Sequence, residues 1–131
     1  MEPQQLEEVA RRHGIRLLLQ FGSTLTDYVR PDSDLDLAVL LERAPRSLGE
    51  DPALLADLQA LIPAREVDVA LLNRADPLFL KKITDNCVLL YGSPRRLHEL
   101  KMYAFKRYQD HRRYLALERD YVAGALRKAA P

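Results

Sequence analysis

The chain has 131 residues, enough to bury one core in a single domain and too few for two. Its formal charge of +1 hides an uneven spread: residues 1–94 hold 10 Lys/Arg against 15 Asp/Glu, a balance of −5, and residues 95–131 hold 10 against 4, a balance of +6. A single cysteine excludes an internal disulfide, the acidic N-terminus lacks the apolar core of a signal peptide, and no apolar run approaches the roughly 18 residues of a membrane span, so a soluble cytoplasmic protein is expected.

In chain order, Leu6, Val9 and Ala10 recur at helical spacing, and His13-Gly14 ends that helix at a glycine cap. Residues 15–21 form an apolar strand whose only charge is Arg16. Gly22-Ser23 turns into a short helix over residues 23–30, and Pro31-Asp32 makes a turn. Residues 34–41 are the second strand, and residues 42–50, with a proline, a glycine and a serine, form a loop. Asp51-Pro52 opens a helix as N-cap and first-turn proline, and Pro63 stops it. The third strand covers residues 66–72, and Asp76-Pro77 starts a helix that runs to about residue 86. Residues 87–91 form the fourth strand, with Cys87 as an inert core thiol. Gly92-Ser93-Pro94 then opens a last helix over residues 95–128, in which only Gly124 is a poor helix former. The alternation predicts an α/β (α+β) fold, a small mixed sheet of about four strands covered by helices, with residues 5–93 as the core and a long C-terminal helix.

The chemistry lies in residues 21–40, FGSTLTDYVRPDSDLDLAVL. A Gly-Ser pair after a strand turns the backbone tightly and offers N–H groups and a hydroxyl to a phosphate. Side chains at i and i+2 of a strand share a face, so Asp34 and Asp36 point together while Leu35 and Leu37 point into the core. Carboxylates held that close repel unless a cation sits between them, and oxygen ligands suit Mg²⁺. A third acid comes from the strand EVDVALL: Asp68, flanked by Val67 and Val69, is chosen, although Glu66 shares its face and the pattern alone leaves it open. Arg30, Lys81 and Lys82 could reach a triphosphate but read first as surface charges, and His13, His98 and His111, which share no metal-ligand spacing, read as structural.

This Gly22-Ser23, ten residues, Asp34-Leu35-Asp36 spacing, with Asp68 on a later strand, resembles the DNA polymerase beta-like nucleotidyltransferase superfamily. At this size the chain is most similar to its minimal nucleotidyltransferases (MNT), which include the antitoxins paired with HEPN toxins. The resemblance implies transfer of AMP from ATP to a hydroxyl. Asp34, Asp36 and Asp68 would be the catalytic carboxylates and the ligands of two Mg²⁺ ions, with Gly22 and Ser23 gripping the triphosphate. It also implies a HEPN-type toxin as partner, with a toxin tyrosine as acceptor. The stretch after Ser23, Thr24-Leu25-Thr26-Asp27, lacks the basic, glycine-containing character of many relatives. That departure favours the alternative, a non-catalytic antitoxin that neutralises by docking; transfer to a small molecule or an RNA end is a third reading.

Four of the six tyrosines, Tyr103, Tyr108, Tyr114 and Tyr121, fall on the last helix, and Tyr103, Tyr114 and Tyr121 share one side of it. Part of that stripe is expected to pack on the domain. The rest should project with the surrounding arginines as a partner surface for the toxin, with nucleic acid a less favoured partner and self-association a further option.

Overall fold

The computed structural model describes residues 1–22 and 34–129, so Ser23 and the short helix and turn expected over residues 23–32 lie outside the described residues. Helix α1, Pro3–His13, buries Leu6, Val9 and Ala10. It ends at Gly14, whose φ of 65° lets its N–H return to the carbonyl of Ala10. Strands β1, Ile15–Phe21, and β2, Leu35–Leu41, follow. Helix α2, Pro52–Leu61, starts where the Leu54 N–H donates to the Asp51 carboxylate at 3.1 Å. Strand β3 is Val67–Leu71. Helix α3, Pro77–Asp85, starts the same way, with the Phe79 N–H donating to Asp76 at 2.8 Å. Both helices carry proline in the first turn, where its missing N–H costs nothing. Strand β4 is Cys87–Tyr91, and helix α4 is Pro94–Ala129, with Ser93 Oγ accepting from the Arg96 N–H at 3.1 Å.

The sheet order is β3-β2-β1-β4. β1 lies antiparallel to both β2 and β4, while β2 and β3 are parallel and α2 makes the crossover between them. This is the mixed four-stranded sheet that the sequence predicts. Period-2 alternation sorts β2 between two cores: Leu35, Leu37, Val39 and Leu41 pack under α1 and α2, whereas Ala38 and Leu40 pack under α3 and α4. Asp36 shares the second face by the same alternation.

Two polar clamps set the ends of the parallel pair. Gln59, at the end of α2, donates to the carbonyls of Ile62 and Arg65 at 3.1 and 2.6 Å and accepts from the Val67 N–H at 2.9 Å, which fixes where β3 begins. Asn73 exchanges two hydrogen bonds of 2.9 Å with the backbone of Leu41, closing the far end of β2. Asn73 belongs to a 3₁₀ turn, Leu72–Arg74, and the predicted loop over residues 42–50 contains another, Leu48–Glu50. Cys87 is half-buried, and burial holds its thiol above the ordinary 9.0.

Helix α4 would span about 54 Å at 1.5 Å per residue. Its first part packs on α3 and the sheet through Leu97, Leu100 and Ala104. The expectation for the tyrosines needs correction here. Tyr103 is half exposed, Tyr114 and Tyr121 are 64% and 80% exposed, and Tyr108, off the stripe, lies beneath the Lys81 ammonium. Small and aliphatic residues make the contact because an alanine lets helix axes approach closely. Beyond His111 the large side chains Tyr114, Leu115, Leu117, Tyr121, Val122 and Leu126 are all exposed. No helix among the described residues is long and apolar enough to cross a membrane.

Candidate active site

The end of β1, the start of β2 and the start of β3 meet at one end of the sheet. Pairing places Phe21, Asp36 and Asp68 side by side, since Asp36 is the partner of Phe21 across the antiparallel pair and of Asp68 across the parallel pair. The register therefore brings together two acids 32 positions apart in sequence. Gly22 follows Phe21 with φ 86°, a backbone that L side chains rarely adopt, and any Cβ there would collide with the carboxylate of Asp36. Glycine is required at this position on both counts.

These residues line a cleft of about 630 Å³. Asp36 and Asp68 sit on one side, Val69 and Ala70 extend it along β3, and α3 closes it with Phe79, Lys82 and Asn86. The Phe21 and Phe79 rings meet edge to face, centroids 6.0 Å apart and planes at 80°, so the cleft has an apolar end and a carboxylate-lined middle.

Asp36 is the most perturbed acid of the group. Burial raises its carboxyl above the ordinary 3.8, the charges of Asp68 and then Asp34 raise it further, and the Lys82 ammonium opposes them. These influences follow from its place in the sheet: Asp36 is half-buried, Asp68 is its neighbour in register, and Asp34 is exposed just before β2 begins. Asp34 thus acts on Asp36 through its charge but does not line the cleft. Among the described residues, no three His, Cys, Asp or Glu side chains converge as a ready-made metal cage. Asp36 and Asp68 nevertheless present hard oxygen donors, and Mg²⁺ is commonly held by one or two carboxylates with substrate phosphates completing its shell.

The structure brings Gly22, Asp36 and Asp68 into one cleft, sets Asp34 at its edge, and leaves Ser23 outside the described residues. Of the two acids left open on the third strand, Asp68 faces the cleft; Glu66 precedes β3, and its carbonyl accepts the Leu35 N–H at 2.8 Å. Lys82, read as a surface charge able to reach a triphosphate, is exposed and lines the cleft, while Phe79 and Asn86 were not singled out by the sequence pattern. The helical spacing i, i+3 puts Phe79 and Lys82 on one side of α3, a signal open to the sequence, whereas Asn86 caps the helix with φ −145° and ψ 87° and lies outside that periodicity. His13 is structural as expected, its Nε2 2.6 Å from Asp57 on α2.

The profile of the family described as "Polymerase beta, Nucleotidyltransferase" matches residues 4–96. Among curated proteins, none matches the chain in sequence. Similar solved structures include a chain of a toxin–antitoxin crystallised with AMP-PNP, at TM-score 0.70 and 19% identity over 96% of this chain and 98% of that one. A chain from the complex of tri-AMPylated Shewanella oneidensis HEPN toxin with MNT antitoxin superimposes at TM-score 0.63 and 18% identity, over 94% and 93%. The spectinomycin adenyltransferase AAD(9) from Enterococcus faecialis, solved with ATP and spectinomycin, matches at TM-score 0.51 and 14% identity over 74% of this chain and 57% of its own. At these identities the likeness is one of fold.

Proposed function

This chain belongs to the polymerase beta nucleotidyltransferase family, and we propose that it is an MNT-type antitoxin that moves AMP from ATP to a tyrosine hydroxyl of a HEPN toxin. The observation that carries the reading is the cross-strand pair Asp36 and Asp68, set in register at the mouth of a nucleotide-sized cleft with Gly22 pressed against Asp36. Structures of the same fold with AMP-PNP, with AMPylated HEPN toxin and with ATP support the choice of nucleotide and partner.

In this reading Gly22, with Ser23 beside it, offers backbone N–H groups to the phosphates of ATP. Asp36 and Asp68, with Asp34, would hold Mg²⁺, two ions in this reading, whose positive charge would stabilise the attacking and leaving oxygens. Asp68, exposed and in the cleft lining, accepts the proton of the incoming hydroxyl. The hydroxyl oxygen bonds to the α-phosphorus, the bond from that phosphorus to the bridging oxygen breaks, and pyrophosphate leaves. The exposed half of α4, basic and studded with tyrosine and leucine, holds the partner while its tyrosine reaches the cleft. The setting is the cytoplasm, where a lone thiol stays reduced.

Calorimetry of ATP binding, with Mg²⁺ and with EDTA, tests the cleft. Binding should depend strongly on Mg²⁺, because Asp36 and Asp68 repel both each other and the phosphates without it. Equal affinity in the two buffers would remove the metal-site argument.

A further inference from the structure

We propose that the cleft side of α3 reads the nucleotide through two side chains three residues apart: Lys82 takes the polyphosphate and Phe79 takes the nucleoside. The inference rests on the nucleotidyl-transfer reading of the cleft and assigns work within it that the carboxylates cannot do.

Charge sets the first half. Asp36 and Asp68 line the cleft with Asp34 at its edge, so a polyphosphate enters against carboxylates. Among the described residues lining the cleft, Lys82 is the only cation. Its ammonium is also uncommitted: among the described residues it makes no hydrogen bond or ion pair, though its charge is felt at Asp36. The adjacent Lys81 is the internal contrast, because its ammonium is bonded to Asp85 and lies 5.1 Å from the Tyr108 ring centroid. One lysine of the pair is tied into the fold, and the other is left for something that comes and goes.

Shape sets the second half. Phe79 lies one turn toward the N-terminus of α3, meets Phe21 edge to face, and keeps 37% of its surface exposed. Val69 and Ala70 give that end of the cleft an apolar floor. An aromatic wall over small apolar residues suits the flat ring of a nucleobase, whose stacking tolerates any base. At the C-terminal cap of α3, Asn86 offers a carboxamide that no described residue engages. Along α3 the cleft therefore passes from the aromatic Phe79 to the cationic Lys82, as a nucleoside triphosphate passes from ring to charge.

The test is competition against a fluorescent ATP analogue, at fixed Mg²⁺, by ATP and by adenosine. Lys82→Gln should weaken ATP about tenfold or more, the size of a hydrogen bond to a charged group, and leave adenosine within about threefold. Lys82→Arg should restore ATP, and Lys81→Gln should change neither ligand. Phe79→Ala should weaken both ligands by a similar factor, about tenfold for a lost stacking contact. Undiminished ATP binding by Lys82→Gln, or an equal loss for ATP and adenosine in that variant, would overturn the assignment while the transfer reading stood. An unsubstituted chain that binds no ATP would overturn both.

Discussion

The cleft and the far half of α4 depart from good folding practice in opposite directions. In the cleft, Asp36 is half-buried beside Asp68 and against Gly22, a crowding of like charge that a fold selected for stability alone would not keep. In the far half of α4, Tyr114, Leu117, Tyr121 and Leu126 are bare where a small domain normally covers its apolar side chains. The first region is over-constrained by the sheet register, and the second is constrained by nothing but its own helix. In the proposed function each is completed from outside the chain, by a cation and nucleotide in one case and by a protein surface in the other. The difference predicts that removing a carboxylate from the cleft lowers activity without lowering stability, whereas substitutions on the far half of α4 act on association and leave the fold alone.

The largest effect should come from Asp36→Asn. Loss of one carboxylate charge should lower AMP transfer at least about a hundredfold, several kcal/mol of transition-state stabilisation in sites of this kind. Its melting temperature in EDTA should equal or exceed that of the unsubstituted chain, because repulsion from Asp68 and Asp34 is relieved. The neighbouring core change Leu37→Ala should do the reverse, costing about 2–5 kcal/mol of stability with transfer per folded molecule retained. Thermal melts and transfer assays on the two variants together check whether β2 divides its labour residue by residue.

On α4, Tyr114→Ala with Tyr121→Ala should weaken the complex with the partner by about 2 kcal/mol or more if they are anchors, and leave ATP affinity unchanged. Titration calorimetry with each ligand separates the two. Truncation after Arg112 sharpens the comparison: it keeps Leu97, Leu100, Ala104 and Tyr108, so the cleft should still bind ATP while the partner is lost. Retention of the partner at full yield would show that the bare half of α4 is not its seat.

The smallest effect concerns the α1–α2 contact. Hydrogen bonding from His13, and then from Arg12, holds the Asp57 carboxyl below its ordinary 3.8. A depressed acid adds stability above its unfolded value and loses it as the pH falls through the folded value. Asp57→Asn should therefore melt lower than the unsubstituted chain at neutral pH, and the gap should close as the pH drops below about 4. A gap that is constant down to strongly acid pH would remove Asp57 from the acid dependence.

The elements were legible because their signals are local. Caps and first-turn prolines at Asp51-Pro52 and Asp76-Pro77, the glycine after His13 and the alternation in β2 all act within a few residues. Strand period was a partial guide to the acids: it puts Asp36 on the cleft side of β2, but Asp34 lies just before the strand and outside the cleft lining. The choice of Lys82 over Lys81 was not legible, because it depends on how α3 crosses the sheet, and that is set by Leu80 and Ile83 packing with Leu19 and Ala38. Nor was the split among the tyrosines of α4, where helical period groups Tyr103, Tyr114 and Tyr121 correctly but says nothing of which side faces the domain. That Asp68 rather than Glu66 lines the cleft follows from the parallel register of β2 and β3, a long-range fact.

The central claim is that the cleft transfers AMP to the protein held by α4. Its most direct test is the intact mass of a HEPN partner co-expressed with the unsubstituted chain and, separately, with Asp36→Asn. The account predicts that the partner gains the mass of one or more AMP groups, on tyrosine, only with the unsubstituted chain, while both versions of the chain co-purify with it. A partner that is neutralised and co-purified without any added AMP would contradict the account and leave docking as the whole of the function.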